Sequence, residues 1–170
     1  MELKDIHYTE NVDETLRVLN GQGLLISTVS ADGRPNIMTI GWAQPGILWG
    51  RKVFVVYVRP SRYTFTMLEQ VDEFVVNVPG EDLQQECMLC GTKSGRDVDK
   101  FAECGFTAVA AQHVKPPLIG ECVRFYECRT IHHGDLRDSE LPAQVRKQLY
   151  PAGDIHRVYY GEILRAAERA

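Results

Sequence analysis

Short β-type runs punctuate this chain at intervals too irregular for a parallel sheet with crossover helices, and that spacing bounds the fold more tightly than any other feature. "GLLISTVSADGRPNIMTIGWA" divides into runs at Leu24–Val29 and Asn36–Trp42, and the Asp32-Gly33 pair between them predicts a hairpin. "VFVVYV" (Val53–Val58) is so continuously apolar that both of its faces are expected to be covered. "EFVVNV" (Glu73–Val78) stops at Pro79-Gly80, and "TAVAAQHV", "CVRFYECRTI" and "IHRVYYGEIL" add alternating or branched runs toward the C-terminus. At least six strands against a few short helices predict a mainly β fold, a closed or split barrel.

The helices are expected at the periphery. Val12, Leu16 and Leu19 form an i, i+4, i+7 set, and Ser61 can cap a helix that carries Tyr63, Met67 and Leu68 after the Arg59-Pro60 break. Two more are expected at Asp82–Cys90 and about Asp97–Cys104, the second closed by Gly105. A polar, helix-prone insert occupies about 134–153. No repeat and no Pro/Ser/Gly linker divides the 170 residues, so residues 1–170 are expected to form one domain.

With 19 Lys+Arg against 23 Asp+Glu, the net charge of -4 argues against nucleic acid as the main partner, so any basic site must be local. The N-terminus lacks a signal-like apolar core, and stretches such as "GLLIS" fall far short of the roughly 20 residues a membrane span requires. The cytoplasm, with no membrane partner, is the expected setting. Five cysteines, an odd number, fit free thiols better than a disulfide framework. Cys87 and Cys90 form a CxxC with no second ligand pair, which speaks against zinc. Its place at the end of a helix, where the dipole disfavours thiolate, speaks against a thioredoxin-like dithiol.

Two stretches look ready for an anion. In "GTKSGRDVDKF" Ser94 and Asp97 make a capping-box pattern beside Lys93, Arg96 and Lys100, and in "VRPSRYT" Arg59, Ser61, Arg62 and Thr64 gather donors around another helix start. Each alone also reads as an ordinary capped surface helix with solvated charges; two in one acidic chain suggest a phosphorylated ligand. In "PNIMTIGWA", Asn36 and Thr39 sit among apolar neighbours and Trp42 offers a flat wall, a combination that suits a heteroaromatic ring. Asn36 as a turn residue and Trp42 as core is the competing interpretation.

Taken in order, "SADGRPNIMTIGW", "VYVRPSRYT", "EFVVNVP" and "CGTKSGRDVDKFAECG" resemble the flavin reductase-like, FMN-binding split-barrel family, especially its flavoredoxin-type branch. "VYYGEI" fits that family's closing strand. The resemblance implies a six-stranded Greek-key split barrel with a few short peripheral helices, a homodimer, and one FMN per subunit near the dimer interface. It gives the isoalloxazine to Asn36, Ile37, Met38 and Thr39 with Trp42 as a wall, and the ribityl phosphate to Arg62, Thr64, Ser94, Gly95 and Lys100 with Asn77 nearby. It further implies NADH or NADPH as co-substrate for a flavin or electron-acceptor reductase, ferric iron among the acceptors, or alternatively a non-enzymatic electron carrier or flavin-binding sensor served by a redox partner protein. A G-x-G-x-x-G fingerprint is absent, as in a family where nicotinamide stacks on the flavin. The family's short "GDH" loop is replaced here by the insert, which leaves open which of His132, His133 and His156 faces the flavin; His156 is the candidate for the catalytic site.

Overall fold

The computed structural model describes all 170 residues. Ten strands are present: β1 (Leu3–Asp5), β2 (Leu24–Val29), β3 (Pro35–Ile40), β4 (Ala43–Leu48), β5 (Arg51–Val58), β6 (Glu73–Val78), β7 (Ala108–Val109), β8 (Leu118–Ile119), β9 (Arg124–Asp135) and β10 (Arg157–Arg169). Five helices accompany them: α1 (Val12–Asn20), α2 (Tyr63–Leu68), α3 (Gln84–Thr92), α4 (Lys100–Cys104) and α5 (Ala143–Leu149). The main sheet is antiparallel, in the order β3-β2-β6-β9-β10-β5-β4, with β1 added beside β10. Its two ends, β3 and β4, are consecutive in the chain and joined by only Gly41 and Trp42, so the sheet curls until its edges meet in an incompletely closed barrel.

Period-2 patterning explains how each strand faces two apolar layers. Leu24, Ile26, Phe54, Val56, Val58, Phe74, Val76, Tyr126 and Cys128 point into the barrel. The alternate residues Leu25, Val75 and Phe125 pack outward against Leu83 just before α3 and against Cys87, Cys90, Phe101 and Leu118 from α3, α4 and the β7–β8 ribbon. Val53 and Val55 share a third cluster with Val158 of β10. The expectation that Val53–Val58 is covered on both faces therefore holds, and α3 and α4 are held on the outer face of β2 and β3.

Several elements depart from their sequence expectation. β4 lacks a strand signal in the sequence because its "AQPGIL" carries Pro45 and Gly46, which an edge strand tolerates. Its hairpin to β5 turns on Trp49 and Gly50, both left-handed with φ of 51° and 73°, a backbone geometry usually signalled by Asn-Gly. "TAVAAQHV" contributes only the two residues of β7, paired with β8 in a separate ribbon. α3 runs through Gly91 to Thr92, where a Cβ at Gly91 would lie 3.3 Å from Thr39 Cβ; the glycine lets helix and strand approach closely. α4 begins at Lys100, capped by Asp99 Oδ1, which accepts from Phe101 N at 3.0 Å and Ala102 N at 3.3 Å. Ser94 is thus not a helix cap, and its Oγ accepts from Arg96 N within a loop. α2 likewise starts after Arg62, without the expected Ser61 cap.

Long strands β9 and β10 carry register shifts at Tyr160/Gly161 and between Ile163 and Arg165, which bend the pair around the barrel. At Gly161 an added Cβ would stand 2.3 Å from Phe74 Cζ and 2.9 Å from Cys128 Cβ, both in the barrel interior. Gly161→Ala is expected to destabilise the fold by about 1–3 kcal/mol through overpacking, read as a lowered urea midpoint at unchanged slope; an unchanged midpoint would show that the interior can yield there.

Candidate functional site

One face of the barrel opens into a cleft with two adjoining halves that share Met38, Arg62 and Gly91. The first half is cationic. β3 contributes Asn36, the α2 start contributes Ser61 to Thr64, the end of α3 contributes Cys90 to Thr92, and the loop that follows contributes Lys93 to Arg96, with Lys100 behind. Four cations line it and no carboxylate does.

Those cations are held in different ways. Lys93 pairs with Glu103 at 3.0 Å, while Arg96 donates to Ser61 O at 3.2 Å and lies over the Tyr63 ring, 5.1 Å from its centroid. Arg34 reaches the same tyrosine, donating to its hydroxyl at 2.6 Å. Lys100 is buried, and its ammonium donates to Ile37 O at 2.8 Å and Cys90 O at 2.7 Å. Burial pulls its pKa below the ordinary lysine value, partly opposed by the neighbouring thiols Cys90 and Cys104. Arg62 is exposed, and its side chain has neither an acidic partner nor a protein hydrogen bond, which leaves the guanidinium available to a ligand.

Asn36 marks the floor. Its Nδ2 donates to Thr64 Oγ1 at 3.1 Å, but its buried Oδ1 has no partner. Gly95 lies against that amide so closely that a Cβ there would fall 1.9 Å from Oδ1. A buried carbonyl oxygen without a donor costs free energy unless a ligand or water supplies one.

The second half is a ring-sized platform: Met38, Thr39, Ile40, Gly41 and Trp42 on one side, Tyr57, Arg59 and His156 on the other. Thr39 Oγ1 donates to Cys87 O at 2.5 Å, fixing strand to helix. Trp42 is 39% exposed, with its ring centroid 4.6 Å from that of His156. His156 Nδ1 lies 2.8 Å from the Tyr150 hydroxyl. Burial, then repulsion from Arg59, pulls the imidazole down to about 4, against the opposing pull of Asp154. His132 instead packs with Trp49 and Tyr160, and His133 with Tyr159; neither lines the cleft.

Of the residues expected from sequence, Asn36, Met38, Thr39, Trp42, Arg62, Thr64, Ser94, Gly95, Lys100 and His156 are brought together here. Two are not. Asn77 is fully buried in the sheet; its Nδ2 donates to Leu25 O and Ser27 Oγ and its Oδ1 accepts from Ile119 N, so it pins the β8 segment. The Ile37 side chain points into the layer under α3 and α4, and only its carbonyl serves the site, through Lys100. Among the residues missed, Tyr63 and Gly91 carry no motif of their own, whereas Tyr57 is the one polar-tipped residue in "VFVVYV".

This sheet order and cleft define the class of flavin reductase-like split-barrel proteins. The family model described as "Flavin reductase like domain" matches residues 18–170, and the chain belongs to that family. Among solved structures, the flavoredoxin of Desulfovibrio vulgaris (Miyazaki F) superposes with a TM-score of 0.68 at 26% identity, covering 84% of this chain and 67% of that one. A flavoredoxin from Methanosarcina acetivorans gives 0.65 at 26% identity, covering 87% and 68%. An uncharacterized protein of Archaeoglobus fulgidus is 34% identical over 113 residues, 66% of this chain; the chain spans 63% of that relative's length.

A pH dependence follows from His156. Because its pKa falls from 6.5 to about 4 on folding, the unfolded chain takes up a proton in that interval that the native protein refuses. The stability of the wild type should fall as pH drops from about 6.5 to about 4 relative to His156→Gln, measured by urea unfolding at stepped pH. Parallel profiles for the two proteins would show that the imidazole is not depressed.

Proposed function

We propose that the cleft binds FMN, with the phosphate in the cationic half and the isoalloxazine on the Met38–Trp42 platform, and that the protein is an oxidoreductase. The observation that carries this reading is the continuity of the two halves: an acid-free corner with an unpaired Arg62 runs directly into a ring-sized platform through Met38 and Gly91. The donor set fits the group. Arg62, Arg96 and the Ser94 hydroxyl match a phosphate. Lys100, one of the five residues that the resemblance gives to the phosphate, acts in this reading as a brace whose charge adds to the corner.

Bound there, FMN would supply hydride acceptance and onward electron transfer. The chain's own part is to hold the ring against Trp42, to place Arg59 and Arg62 beside it, and to keep a neutral imidazole at its margin. NADH or NADPH is the proposed electron source, with flavin or another acceptor, ferric iron included, reduced in turn. The likeness to two flavoredoxins favours a second reading, an electron carrier reduced by a partner protein. Exposed Ile47 and Trp49, 62% and 68% accessible on the β4–β5 hairpin, support a homodimer, since side chains of that size are usually covered.

The visible spectrum of the purified protein, followed by titration with FMN, should show a bound flavin; a colourless protein that takes up none would remove the cofactor from the account. Oxidation of NADH or NADPH in the presence of free FMN or ferric iron separates the readings, since turnover supports the reductase and its absence supports the carrier. Arg62→Ala should weaken FMN binding by about 1.5–3 kcal/mol with the urea midpoint unchanged. Lys100→Ala should do the reverse in emphasis, costing about 1–3 kcal/mol of stability because Ile37 O and Cys90 O lose their donor.

A further inference from the structure

The segment between β9 and β10 has a stereochemical role that its polar, helix-prone sequence conceals. Its C-terminal end docks on the turn after β5: Arg59 donates to Leu149 O at 2.9 Å and Asp154 O at 3.2 Å, and lies over the Tyr150 ring, 4.9 Å from its centroid. Asp154 in turn accepts from Ser61 N at 3.0 Å and Ser61 Oγ at 2.6 Å. Gly153 and Asp154 both take left-handed φ, 76° and 57°, and reverse the chain between Tyr150 and His156. Tyr150 is thereby buried at 4% exposure, with its hydroxyl against one nitrogen of an imidazole whose other nitrogen has no protein partner.

We propose that Tyr150 is a positioning residue that donates its phenolic proton to His156 Nδ1, fixes the Nε2–H tautomer, and so presents a neutral N–H donor to an acceptor atom of the molecule in the ring half of the cleft. The direction of that hydrogen bond follows from satisfaction. If His156 donated instead, the buried phenol O–H would have no acceptor, because His156 is its sole protein partner. The charged groups around the ring are Arg59, Arg62 and Asp154; burial and then the two guanidiniums outweigh the carboxylate, so the imidazole stays uncharged near neutral pH. A neutral donor can serve an oxygen or nitrogen acceptor without adding a third cation beside the two arginines. The identity of that molecule as flavin or its acceptor rests on the proposed function; the tautomer does not.

The test is a long-range ¹H–¹⁵N correlation spectrum of the ligand-free full chain, which reads each imidazole nitrogen as protonated or bare. The wild type should show bare Nδ1 and protonated Nε2 at His156, and Tyr150→Phe should show a mixture of tautomers. A wild type with protonated Nδ1, or a folded Tyr150→Phe protein with an unchanged spectrum, would overturn the proposal; should that variant fail to fold, the wild-type spectrum still decides. FMN added to the wild type should shift the Nε2 signal. Binding that leaves both nitrogens unmoved contradicts the presentation of the donor, whereas no binding at all counts against the cofactor reading while the tautomer result stands.

Discussion

The cleft depends on one buried ammonium. Lys100 sits at the start of α4 and donates to Cys90 O near the end of α3 and to Ile37 O in β3, so a single charge ties together three walls of the cleft. The last carbonyls of a helix have no intrahelical donors and carry the negative end of its dipole, which makes Cys90 O a favourable place for a cation. Burying a lysine is costly unless its donors are engaged, and here the two carbonyls offset that cost. With α3 and α4 fixed to β3, the loop from Lys93 to Asp99 has both ends anchored, and Gly95 is brought against Asn36.

Around this brace the barrel supplies rigidity and the loops supply chemistry. β2, β5 and β6 are buried on both faces, so the strand carrying Asn36, Met38 and Thr39 is backed by packed side chains. The short link of Gly41 and Trp42 brings the two sheet edges together and sets the indole at the mouth of the cleft. The segment after β9 completes the other margin through Tyr150, Asp154 and His156, none of which the barrel strands alone would place there. A site divided between a cationic corner and an aromatic margin results from these separate attachments.

Much of this was legible in the sequence where one physical signal dominated. β2 and β6 have the expected bounds because runs of branched apolar residues end at clear turn residues. The cationic corner was visible because two clusters of basic and hydroxyl residues stood out in an acidic chain. Its mechanism was not: the helix start expected at Ser94 gave way to a loop, because Asp99 rather than Ser94 caps α4. A sequence shows the charge of Lys100 but not the carbonyls that fold back upon it. Nor does it show the partners of Asn77, three of whose four polar contacts come from segments distant in sequence. The choice of His156 over His132 and His133 required the fold, because strand β9 carries the other two to different faces.

The central claim is that the acid-free corner and the ring platform hold the two ends of one FMN. A crystal structure of the protein grown with FMN tests it most directly. The account predicts the phosphate within hydrogen-bond distance of Arg62 and Ser94, and the isoalloxazine against Met38 to Trp42. A flavin seated elsewhere, or a phosphate that contacts Lys100 alone while Arg62 stays in solvent, would contradict it.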